Sequence, residues 1–160
     1  MNSQLSKAIE LRNENKCEEA LVILGQLLET QPLDPDINYQ MAWTCDRLGK
    51  ESEAAPFYET ALSNGLVTDR QGAYLGLGST YRCLGEYEKS LQTLDRALEE
   101  FPQDRALKVF RALTLYNLGT FEASVQELLV QLIETTNDPS IKMYERALQY
   151  YSDKLNETWK

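Results

Sequence analysis

The sequence predicts an all-α solenoid of four antiparallel helix pairs closed by one further helix, and three observations carry that prediction. A Leu-Gly step returns at Leu48-Gly49, Leu84-Gly85 and Leu118-Gly119, with Glu14-Asn15 in the same slot earlier, so the period is 34 to 36 residues. Five positions after each step stands a small residue (Ala20, Ala54, Ser90, Ser124), and thirteen after it a leucine (Leu28, Leu62, Leu98, Leu132). No period-two alternation of apolar and polar residues, the mark of a strand, interrupts the pattern. A period of this length signals stacked supersecondary units, none of which buries its apolar face alone.

Each element follows from its own residues. In residues 1–34, Ala8 faces Ala20, the turn between the helices falls at Asn15, and Gln31-Pro32 stops the second helix. Glycine takes up the left-handed conformation that closes a helix at no steric cost, and asparagine is its best replacement. Residues 35–70 repeat the arrangement with Ala42, Ala54, Tyr58 and Ala61, but the turn out of the pair, Asn64-Gly65-Leu66, is two residues longer. Pro56 falls beyond the first turn of this pair's second helix, where its missing N–H predicts a lost bond and a kink. In residues 71–104, Tyr74, Leu77, Gly78 and Tyr81 mark one helix face, Leu91, Leu94, Ala97 and Leu98 another, and Phe101-Pro102 ends the pair. Residues 105–138 set Ala112 opposite Ser124. Such facing small side chains let antiparallel helices approach closely. Residues 139–160 read as the closing helix, with Ile141, Tyr144, Leu148, Tyr151 and Leu155 on one stripe and Met143, Ala147 and Tyr150 on a second.

Composition excludes several function classes. The 160 residues hold no histidine, which removes the commonest general base, the usual metal ligand and the Ser-His or Cys-His nucleophile arrangements. Cys17, Cys45 and Cys83 are odd in number and far apart, so neither a disulfide framework nor a zinc site is expected. No phosphate-binding loop is present; Gly76-Leu77-Gly78 lies in a helical pattern and has no third glycine. No cofactor, no metal and no catalysis are therefore expected. No apolar run approaches the roughly 20 residues of a membrane span, the start lacks the pattern of a signal peptide, and the thiols suit a reducing compartment, so the expected location is cytoplasmic. A net charge of −9 argues against nucleic acid and anionic membranes as partners.

These columns resemble the tetratricopeptide repeat (TPR) family, whose pattern is W-x2-L-G-x2-Y, then A-x3-F, then P. Residues 71–104 match as Tyr74, Leu77, Gly78, Tyr81, Ser90, Leu94 and Pro102, and residues 35–70 as Ala42, Ala54, Tyr58 and Ala61. The resemblance covers four repeats, 1–34, 35–70, 71–104 and 105–138, with 139–160 as the capping helix of a single domain. It implies a right-handed superhelix. Lys108 and Arg111 depart from the family's preference for Trp and Leu, and Gln131 stands where Ala is preferred, so the fourth repeat matches least well.

The family implies a binding groove lined by the first helix of each pair. Carried over residue by residue, its columns comprise Leu5, Tyr39, Leu75 and Val109; Ile9, Trp43, Ser79 and Leu113; Arg12, Asp46, Arg82 and Tyr116; and Asn13, Arg47, Cys83 and Asn117, with Asn2, Asp36, Gly72 and Ala106 at the mouth. The family's clamp for chaperone tails is not expected, since Leu5 and Ile9 stand in its columns. The first helices and closing segment hold 11 Lys and Arg against 7 Asp and Glu, and the remaining segments 5 against 18. The resemblance thus implies a protein-interaction scaffold whose groove takes a peptide or helical segment, with Arg12, Arg47 and Arg82 holding an acidic group among apolar anchors. Tyr39 and Trp43 either line that groove or pack between repeats. The alternative function is self-assembly through the closing helix, whose second stripe needs a cover.

Overall fold

The computed structural model describes residues 3–159. Its ten helices, with no strand among the described residues, are α1 (Ser3–Asn13), α2 (Cys17–Thr30), α3 (Pro35–Arg47), α4 (Glu51–Ser63), α5 (Arg70–Cys83), α6 (Tyr87–Glu100), α7 (Arg105–Asn117), α8 (Phe121–Thr135), α9 (Pro139–Lys142) and α10 (Glu145–Tyr151). Consecutive helices pair as an α-solenoid, and the chain divides into two compact units after Thr93, within α6.

The turns inside the pairs form as their residues dictate. Asn15, Gly49, Gly85 and Gly119 all have positive φ, and the residue after each returns its N–H to a carbonyl five positions back, as in Lys50 to Cys45 at 3.0 Å. That bond satisfies a carbonyl the helix end leaves open. The longer turn after α4 closes in the same way: Gly65 has φ +82°, Leu66 N–H bonds to Ala61, and the Leu66 side chain is fully buried. The next helix then starts on a capping aspartate. Asp34, Asp69, Asp104 and Asp138 each accept a backbone N–H from the first turn of α3, α5, α7 and α9. They recur at the period of the turns, and each satisfies a donor that the helix start leaves free.

In the first unit the small residues are buried as expected. Ala8, Ala20, Ala42 and Ala54 lie at 0–1 % exposure, and the Ser90 hydroxyl donates to the Gly78 carbonyl at 2.7 Å, tying α5 to α6. Leu24, Ile37, Tyr58 and Leu66 fill the core around them. One polar cluster sits inside it. Asp46 accepts from Tyr58 Oη at 2.8 Å and from Thr80 Oγ1 at 2.9 Å, joining α3 to α4 and α5. Burial pushes the Asp46 carboxyl above its ordinary range, although the Tyr58 and Thr80 hydrogen bonds oppose the shift. Gly76 makes room for this cluster, because a Cβ there would stand 2.5 Å from the Tyr58 ring. The expected kink at Pro56 is not seen as a break: α4 runs unbroken from Glu51 to Ser63 with Pro56 on its exposed side. Water can satisfy the carbonyl that lacks its usual N–H donor there.

In the second unit the unfavoured residues find partners. The Arg111 guanidinium bonds to Asp95 of α6 at 2.5 Å and Glu127 of α8 at 2.8 Å. Burial works against its charge, yet the two carboxylates outweigh that and hold its pKa above the ordinary value. Gln131 is buried and accepts from Arg105 at 2.9 Å. Ser124 donates to the Ala112 carbonyl at 2.7 Å, the counterpart of Ser90 and Gly78. The closing segment departs from the single helix expected over 139–160. It forms the four-residue α9 and the seven-residue α10 with a turn at Met143 and Tyr144, and the chain leaves helix after Tyr151. α10 packs on α8, and Asn156 bonds to Glu122.

Candidate functional site

Within the first unit, α1 touches α3 and α3 touches α5. A cleft of about 520 Å³ opens there, lined by Leu5, Ile9, Gln31, Asp34, Asp36, Ile37, Tyr39, Gln40, Trp43, Thr68 and Asp69. Five of the groove residues expected from sequence meet in it: Leu5, Ile9, Tyr39, Trp43 and, from the mouth, Asp36. Helical spacing explains the grouping, since Leu5 and Ile9 on α1, like Tyr39 and Trp43 on α3, are four apart and share a face.

The aromatic residues divide the two roles left open for them. Trp43 is 39 % exposed, whereas Tyr39 is 4 % exposed, its ring 5.8 Å from Trp43 and 6.2 Å from Tyr58. Tyr39 therefore supports the cleft floor, and its hydroxyl donates to Asp69. Burial, reinforced by Asp69, pushes the Tyr39 phenol well above its ordinary pKa, so it stays a neutral donor.

The three arginines expected to hold an acidic group lie apart from this cleft. Arg12 does not reach into the cleft: it is 2 % exposed, its guanidinium stacks 3.8 Å from the centre of the Trp43 ring, and its Nη1 donates to Gln40. Stacking on an aromatic face while hydrogen-bonding in plane suits a planar guanidinium, and it takes Arg12 out of solvent. Burial lowers its pKa, yet an arginine remains charged. Arg47 is exposed but bonds to Asn15, and Arg82 is half-buried on α5. Neither lines the cleft, and no other lysine or arginine among the described residues does.

In place of those cations the cleft presents Asp34, Asp36 and Asp69. Asp34 bonds to Ile37 N–H at 2.9 Å, Asp69 to Gly72 N–H at 2.9 Å, and Asp36 accepts from Thr68 Oγ1. Asp36 was placed at the groove mouth by sequence, but Asp34 and Asp69 were missed as site residues. They stand one residue before α3 and α5, so a charge count bounded by the helices assigns them to the outside. Their recurrence at the repeat period was the available signal.

The other expected site residues lie elsewhere. Leu75 is half-buried on α5 and does not line this cleft. Val109, Leu113 and Tyr116 belong to α7 of the second unit, where Leu113 and Tyr116 are exposed and Tyr116 packs edge-on against Phe121 at 5.1 Å. Asn2 lies outside the described residues. Among the cysteines Cys45 is buried, its thiol pushed up to about 11 by burial and by Glu53, and Cys83 is exposed.

Comparison with known proteins places this architecture. A family model for the tetratrico peptide repeat matches residues 35–155. The chain belongs to the tetratricopeptide repeat family. The TPR repeat-containing protein MJ1428 of Methanocaldococcus jannaschii is 31 % identical over 110 residues, which is 69 % of this chain and 17 % of that protein. The chain thus spans about a sixth of that relative's length. Among solved structures, YrrB, described as a TPR protein with an unusual peptide-binding site, superposes with a TM-score of 0.74 at 20 % identity, covering 96 % of this chain and 78 % of YrrB. A tetratricopeptide repeat protein from Parabacteroides merdae gives 0.76 at 22 % identity over 93 % of this chain and 57 % of its own. MamA AMB-1 gives 0.71 at 17 % identity over 94 % and 91 % of the two chains. At these identities the likeness is one of fold. No helix among the described residues is long and apolar enough to cross a membrane.

Proposed function

We propose that this TPR chain is an interaction scaffold that takes a peptide or helical segment of a partner protein into the cleft between α1 and α3. The observation that carries the reading is the cleft itself, in which Leu5, Ile9, Ile37 and Trp43 supply apolar wall and polar groups stand at the edge. An apolar concavity with a few placed polar groups is the usual form of a ligand site. The peptide-binding site of YrrB, a protein of the same fold, supports the assignment. Trp43 is the expected hot spot, because it is large, partly exposed and braced from beneath by Arg12. Affinity capture from the source cell, run with wild type and Trp43→Ala side by side, tests the proposal. The variant is expected to lose the partner at a cost of about 2 kcal/mol. An unchanged capture by a folded variant places the site elsewhere.

A second reading, self-assembly through the closing segment, is favoured by one observation. Met143, Tyr144, Tyr150, Tyr151, Leu155 and Trp159 are all more than 40 % exposed, and Tyr150, Tyr151 and Trp159 form a cluster with ring centres 5.5–6.1 Å apart. Exposed apolar patches of this kind mark interaction surfaces.

A further inference from the structure

The cleft's polar edge is of one sign. Asp34, Asp36 and Asp69 line it, and among the described residues no lysine or arginine lines it and none of the three carboxylates takes part in an ion pair. The nearby Arg12 guanidinium is buried against the Trp43 ring with Nη1 on Gln40, and it does not line the cleft. It offsets at most one of the three charges. The carboxylate oxygens already engaged by Ile37, Gly72, Tyr39 and Thr68 keep further lone pairs, because an ionised carboxylate offers about four acceptor sites. Beside these carboxylates the Trp43 ring presents a partly exposed aromatic surface, which attracts cations and apolar groups alike.

We infer that the segment taken up by the cleft carries a lysine or arginine, whose cationic head lies among Asp34, Asp36 and Asp69 while an adjoining apolar side chain packs on Ile9 and Trp43. This rests on the peptide-binding reading above and reverses the charge that the sequence implied for the ligand. The aliphatic stem of a basic residue suits the apolar wall, and its head suits the edge. Charge complementarity of this kind sets partner choice and makes binding sensitive to salt.

The test separates this inference from the reading beneath it. A displayed library of random short peptides is selected on the intact protein, and the enriched sequences are titrated against wild type, Trp43→Ala and the Asp34→Asn/Asp36→Asn/Asp69→Asn variant. Asparagine caps a helix as well as aspartate does, so the variant removes charge and keeps the starts of α3 and α5. The expected result is a set of peptides with a basic residue next to an apolar one, which bind about tenfold more weakly to the triple variant and less well in high salt. Asp36→Asn alone, at a position that caps no helix, is expected to weaken binding about twofold and keeps the test decisive if the triple variant does not fold. Acidic or neutral peptides that depend on Trp43 and ignore the aspartates would overturn the cation and leave the peptide site standing. Peptides indifferent to Trp43, or no enrichment at all, would overturn both. Self-association of the peptide-free protein that Trp43→Ala abolishes would make a second copy the occupant and likewise overturn the inference.

Discussion

At the scale of single residues, the core of the first unit turns on the contact between Gly76 and Tyr58. Alanine at position 76 gains helix propensity of about 1 kcal/mol, but its Cβ would press on a buried ring whose hydroxyl is fixed to Asp46. Crowding in a packed core costs typically about 1–3 kcal/mol, so Gly76→Ala is expected to lower the urea midpoint, and an unchanged or higher midpoint would show that the ring yields freely. Asp46 gives a second prediction, through pH. Its folded pKa is raised, chiefly by burial, so the folded state holds the proton more tightly than the unfolded one. Stability from this group is therefore greatest below its ordinary value of 3.8 and falls as pH rises through the raised value. Asp46→Asn is expected to gain stability relative to wild type across that same window, read from denaturant midpoints at a series of pH values. A difference that stays flat, or runs the other way, would contradict the assignment. The small residues were legible in the sequence because close helix approach leaves no alternative to Gly, Ala or Ser. The burial of Arg12 was not, because helical register fixes the face a side chain starts from and not where a long chain folds.

At the scale of elements, α4 isolates the effect of an interior proline. Pro56 lies on an exposed face of an unbroken helix, so its replacement disturbs no packing. An interior proline costs ~3 kcal/mol and returns up to ~1 kcal/mol by restricting the unfolded chain, so Pro56→Ala is expected to stabilise by about 2 kcal/mol. Thermal and urea unfolding both report it, and a loss of stability would mean that the proline shapes α4 in a way its continuity does not reveal. Helix ends were readable wherever one residue type is demanded, as at the positive-φ positions Asn15, Gly49, Gly85 and Gly119. The break between α9 and α10 was not readable. The stripe from Ile141 to Leu155 continues past it, and no glycine or proline stands at Met143-Tyr144 to announce the turn.

At the scale of the whole molecule, the helix pairing was legible from the period, while the sign of the candidate site was not. Two of the carboxylates that line the cleft stand just outside the helix boundaries, on Asp34 and Asp69, where a helix-by-helix reading of charge does not reach them. The closing segment offers the clearest experiment at this scale. Because α10 packs on α8, removing residues 139–160 is expected to uncover apolar surface and reduce solubility, as terminal repeats need a covering element. If the aromatic cluster of that segment is instead an assembly surface, the truncated protein stays soluble and light scattering shows a smaller species than the intact chain.

The caps of α3 and α5 carry one more consequence. The carboxyl that stands at the cleft on Asp34 also holds the Ile37 amide, and that on Asp69 holds the Gly72 amide. A charge drawn toward either carboxylate competes with the amide it caps, so occupancy of the cleft and fraying of the two helix starts are thermodynamically linked. The amide protons of Ile37 and Gly72 are thus native reporters. Their exchange with deuterium is expected to change when the proposed ligand fills the site, with no label placed in the cleft.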